Sequence, residues 1–196
     1  MDYALRLFFE VVPITCLVGA VYGVLRYRRV KKQGITVKRS IELARFLFVC
    51  YLTGLINLVL VPNNLWTYIW YYLRNGYPGC TVGPLFQLSY NLVPSFFRIW
   101  AGELTAGGWV KTMLTGNLLM LAPMGLLLPF VTDRLNKRNM ALVAVGIPVA
   151  IELLQPIVGR SFDVDDILMN FLGILVGFAA AALVRYIGKF AHEKTA

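Results

Sequence analysis

The chain has 196 residues, of which 58% are hydrophobic and 15% charged, with 19 Lys and Arg against 10 Asp and Glu. Mean hydropathy is +0.66. A soluble domain of this size needs far more polar surface, so the composition excludes an ordinary soluble enzyme and points to an integral membrane protein.

Crossing a bilayer as a helix takes roughly 20 predominantly apolar residues at about 1.5 Å each. Five stretches come near that length: residues 7–25, 43–61, 113–131, 140–156 and 167–187. Runs this continuous do not suit barrel strands, whose residues alternate between lipid and lumen. The expected fold is all-α, a polytopic transmembrane helix bundle of about five spans. Residues 1–42 read as an N-terminal anchor with a basic loop, 43–187 as the main transmembrane domain and 188–196 as a tail.

The first span carries Glu10, near its predicted outer end and within reach of the headgroups, and Pro13. It is long, contains an acid and precedes the main basic cluster, which suits an outside-first anchor better than a cleavable signal. Arg26, Arg28, Arg29, Lys31, Lys32, Lys38, Arg39 and Arg45 crowd the first connection. Arg134, Lys137 and Arg138 fall in the third connection, and Arg185, Lys189 and Lys194 follow the last span. With five spans all three groups share one side, and excess Lys and Arg marks the cytoplasmic side. The reading places the N-terminus outside and the C-terminus on the cytoplasmic side. The formal charge of +9 is largely this asymmetry plus attraction to anionic membrane lipids, so nucleic acid is not an expected partner.

Span two ends at Pro62, with Asn57 about one and a half turns before it. The long connection that follows holds Trp66, Trp70, Tyr72, Phe86, Phe97 and Trp100 among its many aromatics. Rings with polar edges favour the headgroup level, so this reads as an aromatic-rich interfacial extracellular segment. Turn signals at Asn75-Gly76, Tyr77-Pro78-Gly79 and Gly83-Pro84 divide it. Residues 65–73 form a candidate interfacial helix; residues 85–100 form the other half, as a cap over a lipid-facing cleft or as packing across helix ends. Span three contains Asn117 and then Pro123-Met124-Gly125, which suggests a bend or a close helix approach.

Residues 152–177 concentrate the polar groups: Glu152, Gln155, Arg160, Asp163, Asp165, Asp166 and Asn170. Each ionisable group at a helix centre costs on the order of 2.5–3.5 kcal/mol by insertion scales, so such a concentration is a candidate site. Glu152 lies about 6 Å inside the outer end of its span, and Asn170, Asn117 and Asn57 reach similar depths in theirs. Glu152 and Gln155 share one helix face, as do Asp166 and Asn170. Gly173 and Gly177 continue the second face in a small-residue pattern that fits packing within the chain or between two chains. Arg160 stands beside carboxylates with which it can pair.

Three readings compete: a structural network that fixes helix packing, an outer-leaflet cleft for an amphiphile's headgroup, and catalysis. In the last, Glu152 or Asp166 would act as a general base or bind a hard cation. No nucleophile elbow, His pair or phosphate-cradling glycine loop supports catalysis, and His192 reads as a solvated tail residue. Cys16, Cys50 and Cys80 lack metal-ligand spacing and do not form a disulfide framework, and no metal site is expected.

Several pieces together resemble the VanZ-like membrane proteins associated with glycopeptide resistance. They are Asn91-Leu92-Val93-Pro94, Asn117 with Ala122-Pro123-Met124-Gly125, Glu152 with Gln155, Gly159-Arg160-Ser161-Phe162-Asp163, and Asp165-Asp166 through Asn170, Gly173 and Gly177. Ser95 and Ala122 stand where that family often has an aromatic. The resemblance spans the region from the second span to the fifth. It implies a multi-pass bacterial plasma-membrane protein that lowers susceptibility to lipidated glycopeptides such as teicoplanin. The function expected is recognition of a lipid-linked cell-wall precursor or of the lipoglycopeptide itself. Glu152, Arg160, Asp163, Asp166 and Asn170 would bind the polar head, with Gln155, Asn117 and Asn91 in support. The alternative is a membrane-embedded enzyme that modifies such a molecule with the same carboxylates.

Overall fold

A computed structural model describes residues 3–105, 107–132 and 136–193. Arg134 and Lys194, and the side chains of Glu10, Lys137, Lys189 and His192, lie outside the described residues. In chain order the elements are α1 (Tyr3–Gln33), α2 (Arg39–Leu60), α3 (Leu65–Asn75), β1 (Tyr90–Asn91), α4 (Ser95–Trp100) and α5 (Gly108–Val131). They continue with α6 (Lys137–Leu154), a 3₁₀ turn (Gln155–Val158), β2 (Phe162–Asp163) and α7 (Val164–Glu193). The fold is all-α apart from the pairing of the two short strands. Among the described residues five stretches are long and apolar enough to cross a membrane: Val11–Gln33, Arg39–Leu60, Val110–Val131, Arg138–Val158 and Val164–Gly188.

These are the five expected spans, with helix ends that run further. α1 continues through its basic residues to Gln33 and α7 continues to Glu193. Hydropathy marks the thickness of the hydrocarbon, whereas Arg and Lys are good helix formers and prolong a helix into the headgroups. Proline sets other ends. Val61 is extended, as the residue before Pro62 is pressed to be, and α2 stops there. α6 passes Pro148 without breaking but gives up α geometry at Gln155-Pro156. Its start is capped by Asn136, whose Oδ1 accepts the Asn139 N–H at 2.8 Å.

The chain divides into two compact units, one of Met1–Tyr90 with Ile151–Phe162 and one of Asn91–Ala150 with Asp163–Ala196. In the first, α1 and α2 form an antiparallel hairpin packed through small residues, with Gly19 against Phe46 and Cys50 and Gly54 against Val11 and Thr15. Its basic turn is tied by one acid: Glu42 accepts from Arg26 Nε and Nη2 at 2.7 and 2.8 Å and from Arg45 Nη1 at 2.6 Å. The segment after α3 folds against the 3₁₀ turn. There the Phe86 N–H donates to Ile157 O at 3.2 Å and the Phe162 N–H to Ser89 O at 2.9 Å. Gly159 has a φ of 77°, and a Cβ there would run into the Pro84 carbonyl, so only glycine fits the corner.

In the second unit α5 and α7 run parallel in close contact. Asn117 meets Asp166, Leu118 and Ala122 meet Gly173, Gly125 meets Ile174 and Phe178, and Pro129 meets Arg185. Cβ atoms at Gly125, Gly173 or Gly177 would collide with backbone of the opposite helix. The small residues of both helices are therefore spent on this approach within the chain. At the far end Arg185 donates to the Pro129 carbonyl near the C-terminus of α5 and lies 5.2 Å over the Phe130 ring. Two parallel helices with a single span between them end on the same side.

Candidate functional site

The acidic residues of the second unit are organised by the start of α7. A helix leaves its first N–H groups without intrahelical partners, and Asp is a preferred side chain to accept from them. Asp163 does so, its Oδ1 accepting the Asp165 N–H at 2.8 Å. Its two oxygens also accept from Asn91 Nδ2 at 3.1 and 3.0 Å. Asp165, 4% exposed, turns both oxygens to the Ser95 N–H at 3.0 and 2.9 Å and so holds the first residue of α4. Asp166 accepts from Asn117 Nδ2 of α5. Three consecutive elements are thus pinned to one helix end by charge-assisted hydrogen bonds, each stronger than its neutral counterpart. One turn on, Asn170 is fully buried, and its amide oxygen and nitrogen make no hydrogen bond among the described residues.

The first unit holds the other polar group. Glu152 is fully buried at the end of α6 and Gln155 is 5% exposed at the start of the 3₁₀ turn. With its amide nitrogen turned toward Glu152, Gln155 donates to both carboxylate oxygens at 3.3 Å. The turn then closes through the Arg160 N–H to Gln155 O at 3.1 Å. This delivers the Arg160 side chain to the corner after α2, where Nη2 donates to Asn63 Oδ1 at 3.2 Å. Asn57 is held on both sides, its Nδ2 donating to Thr53 O at 2.8 Å and its Oδ1 accepting from Trp66 Nε1 at 2.7 Å. Val11, Asn57, Leu58, Val61, Pro62, Asn63, Trp66 and Arg160 line an open cleft. Its lining contains one guanidinium, two carboxamides and an indole against an apolar wall.

The eight site residues expected from sequence therefore fall into two groups. Glu152, Gln155 and Arg160 belong to the first unit, and Asn91, Asn117, Asp163, Asp166 and Asn170 to the second. The structure adds four that the sequence reading did not single out as site residues. Ser95 and Asp165 form the clamp on α4, and Asn63 and Trp66 complete the cleft. The capping rule could have found the role of Asp163 from Asp163-Val164-Asp165-Asp166 ahead of an apolar run. No sequence rule joins Asn63 to Arg160 across the chain. Among the described residues no three His, Cys, Asp or Glu side chains gather as a metal site.

Residues 46–185 match the family model described as VanZ/LLP1, which is most of the chain. The chain belongs to the VanZ/LLP1 family. No curated protein and no solved structure matches it. The VanZ/LLP1 region begins within α2 and ends within α7, so it takes in the cleft's α2, α3 and Arg160 as well as the acidic cluster. Val11, the cleft's lining residue from α1, precedes it.

Proposed function

We propose that this VanZ/LLP1 membrane protein binds an amphiphile by its headgroup at the outer leaflet and thereby lowers susceptibility to a membrane-acting drug. The ligand is a lipid-linked envelope molecule or a lipidated glycopeptide. The observation that carries this reading is the Arg160 cleft, a small polar recess beside apolar helix surface. It opens at the end of α2 opposite the basic α1–α2 turn, the outer end under the positive-inside rule. Exposed aromatic side chains on the following segment, among them Trp70, Tyr72, Tyr77 and Phe86, suit a headgroup-level shelf around it. The localisation belongs to the same reading: plasma membrane, N-terminus outside and C-terminus cytoplasmic.

A membrane-embedded enzyme is the second reading, favoured by the full burial of the Glu152 carboxylate. Glu152→Gln separates the two, since it keeps size and hydrogen bonding but removes the proton acceptor. Cells carrying the variant are expected to keep near-normal drug tolerance at matched protein abundance. Loss of tolerance together with loss of a new lipid or wall-precursor species in mass spectra would instead establish catalysis. Labelling of a cysteine placed at Ser161 from outside the cell checks the topology, and protection there would overturn it.

A further inference from the structure

We propose that the basic α1–α2 turn is a docking surface for an anionic phospholipid that carries two phosphates, of the diphosphatidylglycerol class. The turn lies at the opposite end of α2 from the Arg160 cleft, and its role is independent of the headgroup-binding reading. Residues 26–45 carry eight Lys and Arg and a single acid, Glu42. Both oxygens of Glu42 are engaged inside the hairpin, by the two-point fork of Arg26 and by Arg45. That clasp ties the end of α1 to the start of α2. The other six cations, Arg28, Arg29, Lys31, Lys32, Lys38 and Arg39, are exposed. Of the chain's ten acids only Asp133 and Glu193 share with Glu42 the side that the positive-inside rule assigns to this turn. Cations therefore stay in excess there whatever those two acids touch.

Two features select a lipid with two phosphates. The exposed cations form two clusters, four near the end of α1 and two at the start of α2, with residues 34–37 between them. Packed helices stand about 8–10 Å apart, so two phosphates joined through one glycerol meet both clusters, where a single phosphate meets one at a time. Exposed Leu25, Tyr27, Ile35 and Leu43 stand beside the clusters in the chain and lead onto the two apolar spans. Acyl chains find a surface there, and a soluble polyanion does not. Basic groups at the cytoplasmic ends of membrane helices take such headgroups through charge, with their apolar stems lying along the hydrocarbon.

The purified full chain is placed in phosphatidylcholine nanodiscs doped with diphosphatidylglycerol or, at equal total charge, with phosphatidylglycerol. Lipid retained on the protein is counted by native mass spectrometry. Diphosphatidylglycerol is expected to be retained and phosphatidylglycerol to be lost. Lys31→Gln with Lys32→Gln, or Lys38→Gln with Arg39→Gln, should each lower retention about thirtyfold, two cations at roughly 1 kcal/mol apiece. Arg74→Gln with Lys111→Gln removes the same charge from the connection between α2 and α5 and should leave retention unchanged. All six side chains are exposed, and the variants are expected to unfold with wild type in pure phosphatidylcholine discs. The comparison of the two lipids on the wild-type chain stands whether or not a variant folds. Equal retention of the two lipids, or an equal loss in the Arg74 and Lys111 pair, overturns the two-phosphate site and leaves only diffuse attraction. Retention of neither lipid, with a poly-glutamate peptide bound instead, assigns the turn to an acidic protein and overturns it as well.

Discussion

The two compact units each carry polar side chains into an apolar protein, and they use them differently. In the second unit Asp163, Asp165 and Asp166 accept from a helix start, a backbone N–H and two asparagines. They stitch β1, α4 and α5 to α7. In the first unit Arg160, Asn57 and Asn63 stand around an open cleft. Packing differs in the same sense: 22% and 33% of the windows of α5 and α7 are buried, against 6% and 11% for α1 and α2. A tight helix pair with short elements around it needs acceptors at its corners, and carboxylates serve that need. In the function proposed above, the group that meets the ligand is the cation beside the less buried hairpin.

The strongest way to break this contrast is at the α5–α7 contact. In Gly177→Leu the new side chain would begin inside the Ala122 carbonyl and near Leu126 N and Gly125 Cα. Backbone cannot yield as a flexible side chain does, so the helices must separate. The expected outcome is loss of monodisperse protein on gel filtration in detergent. Gly188→Leu on the same helix, with open space around its Cβ, should behave as wild type. Equal tolerance of both would mean the helices do not pack through these glycines.

A smaller effect is expected at the clamp on α4. Asp165→Ala leaves the buried Ser95 N–H without its acceptor, at a cost of roughly 1–3 kcal/mol. Thermal unfolding in detergent should move down by several degrees, with drug tolerance unchanged at matched protein abundance. A variant of unaltered stability that loses drug tolerance would move the acidic cluster from scaffold to site.

Much of this was legible in sequence, and the rest was not for identifiable reasons. The five spans follow from hydropathy, and the use of Gly125, Gly173 and Gly177 follows from small-residue spacing because both are properties of single segments. The capping role of Asp163 was equally local and follows from its place just ahead of an apolar run. Asp165 accepts from Ser95 and Arg160 donates to Asn63, each far away in the chain. Such pairings depend on tertiary packing, to which helical spacing is blind. The 3₁₀ turn and Gly159 bring Arg160 to a carboxamide of the α2–α3 corner, a contact that its neighbours in sequence do not announce.

Asn170 sharpens the comparison most finely, because it lies in the packed unit without the hydrogen bonds that define the rest of its cluster. Both amide atoms are buried and unsatisfied among the described residues, an arrangement that costs free energy and gives packing nothing in return. Leucine has the same number and branching of side-chain heavy atoms. If Asn170 only fills space, Asn170→Leu removes the desolvation penalty and should leave stability unchanged or raise it by about 1 kcal/mol, with drug tolerance intact. A rise in unfolding temperature accompanied by lost tolerance is the informative result. It would mean that the amide is kept at a cost to stability because something polar engages it in the working protein. The second unit would then contribute one contact residue to function while its carboxylates remain scaffold.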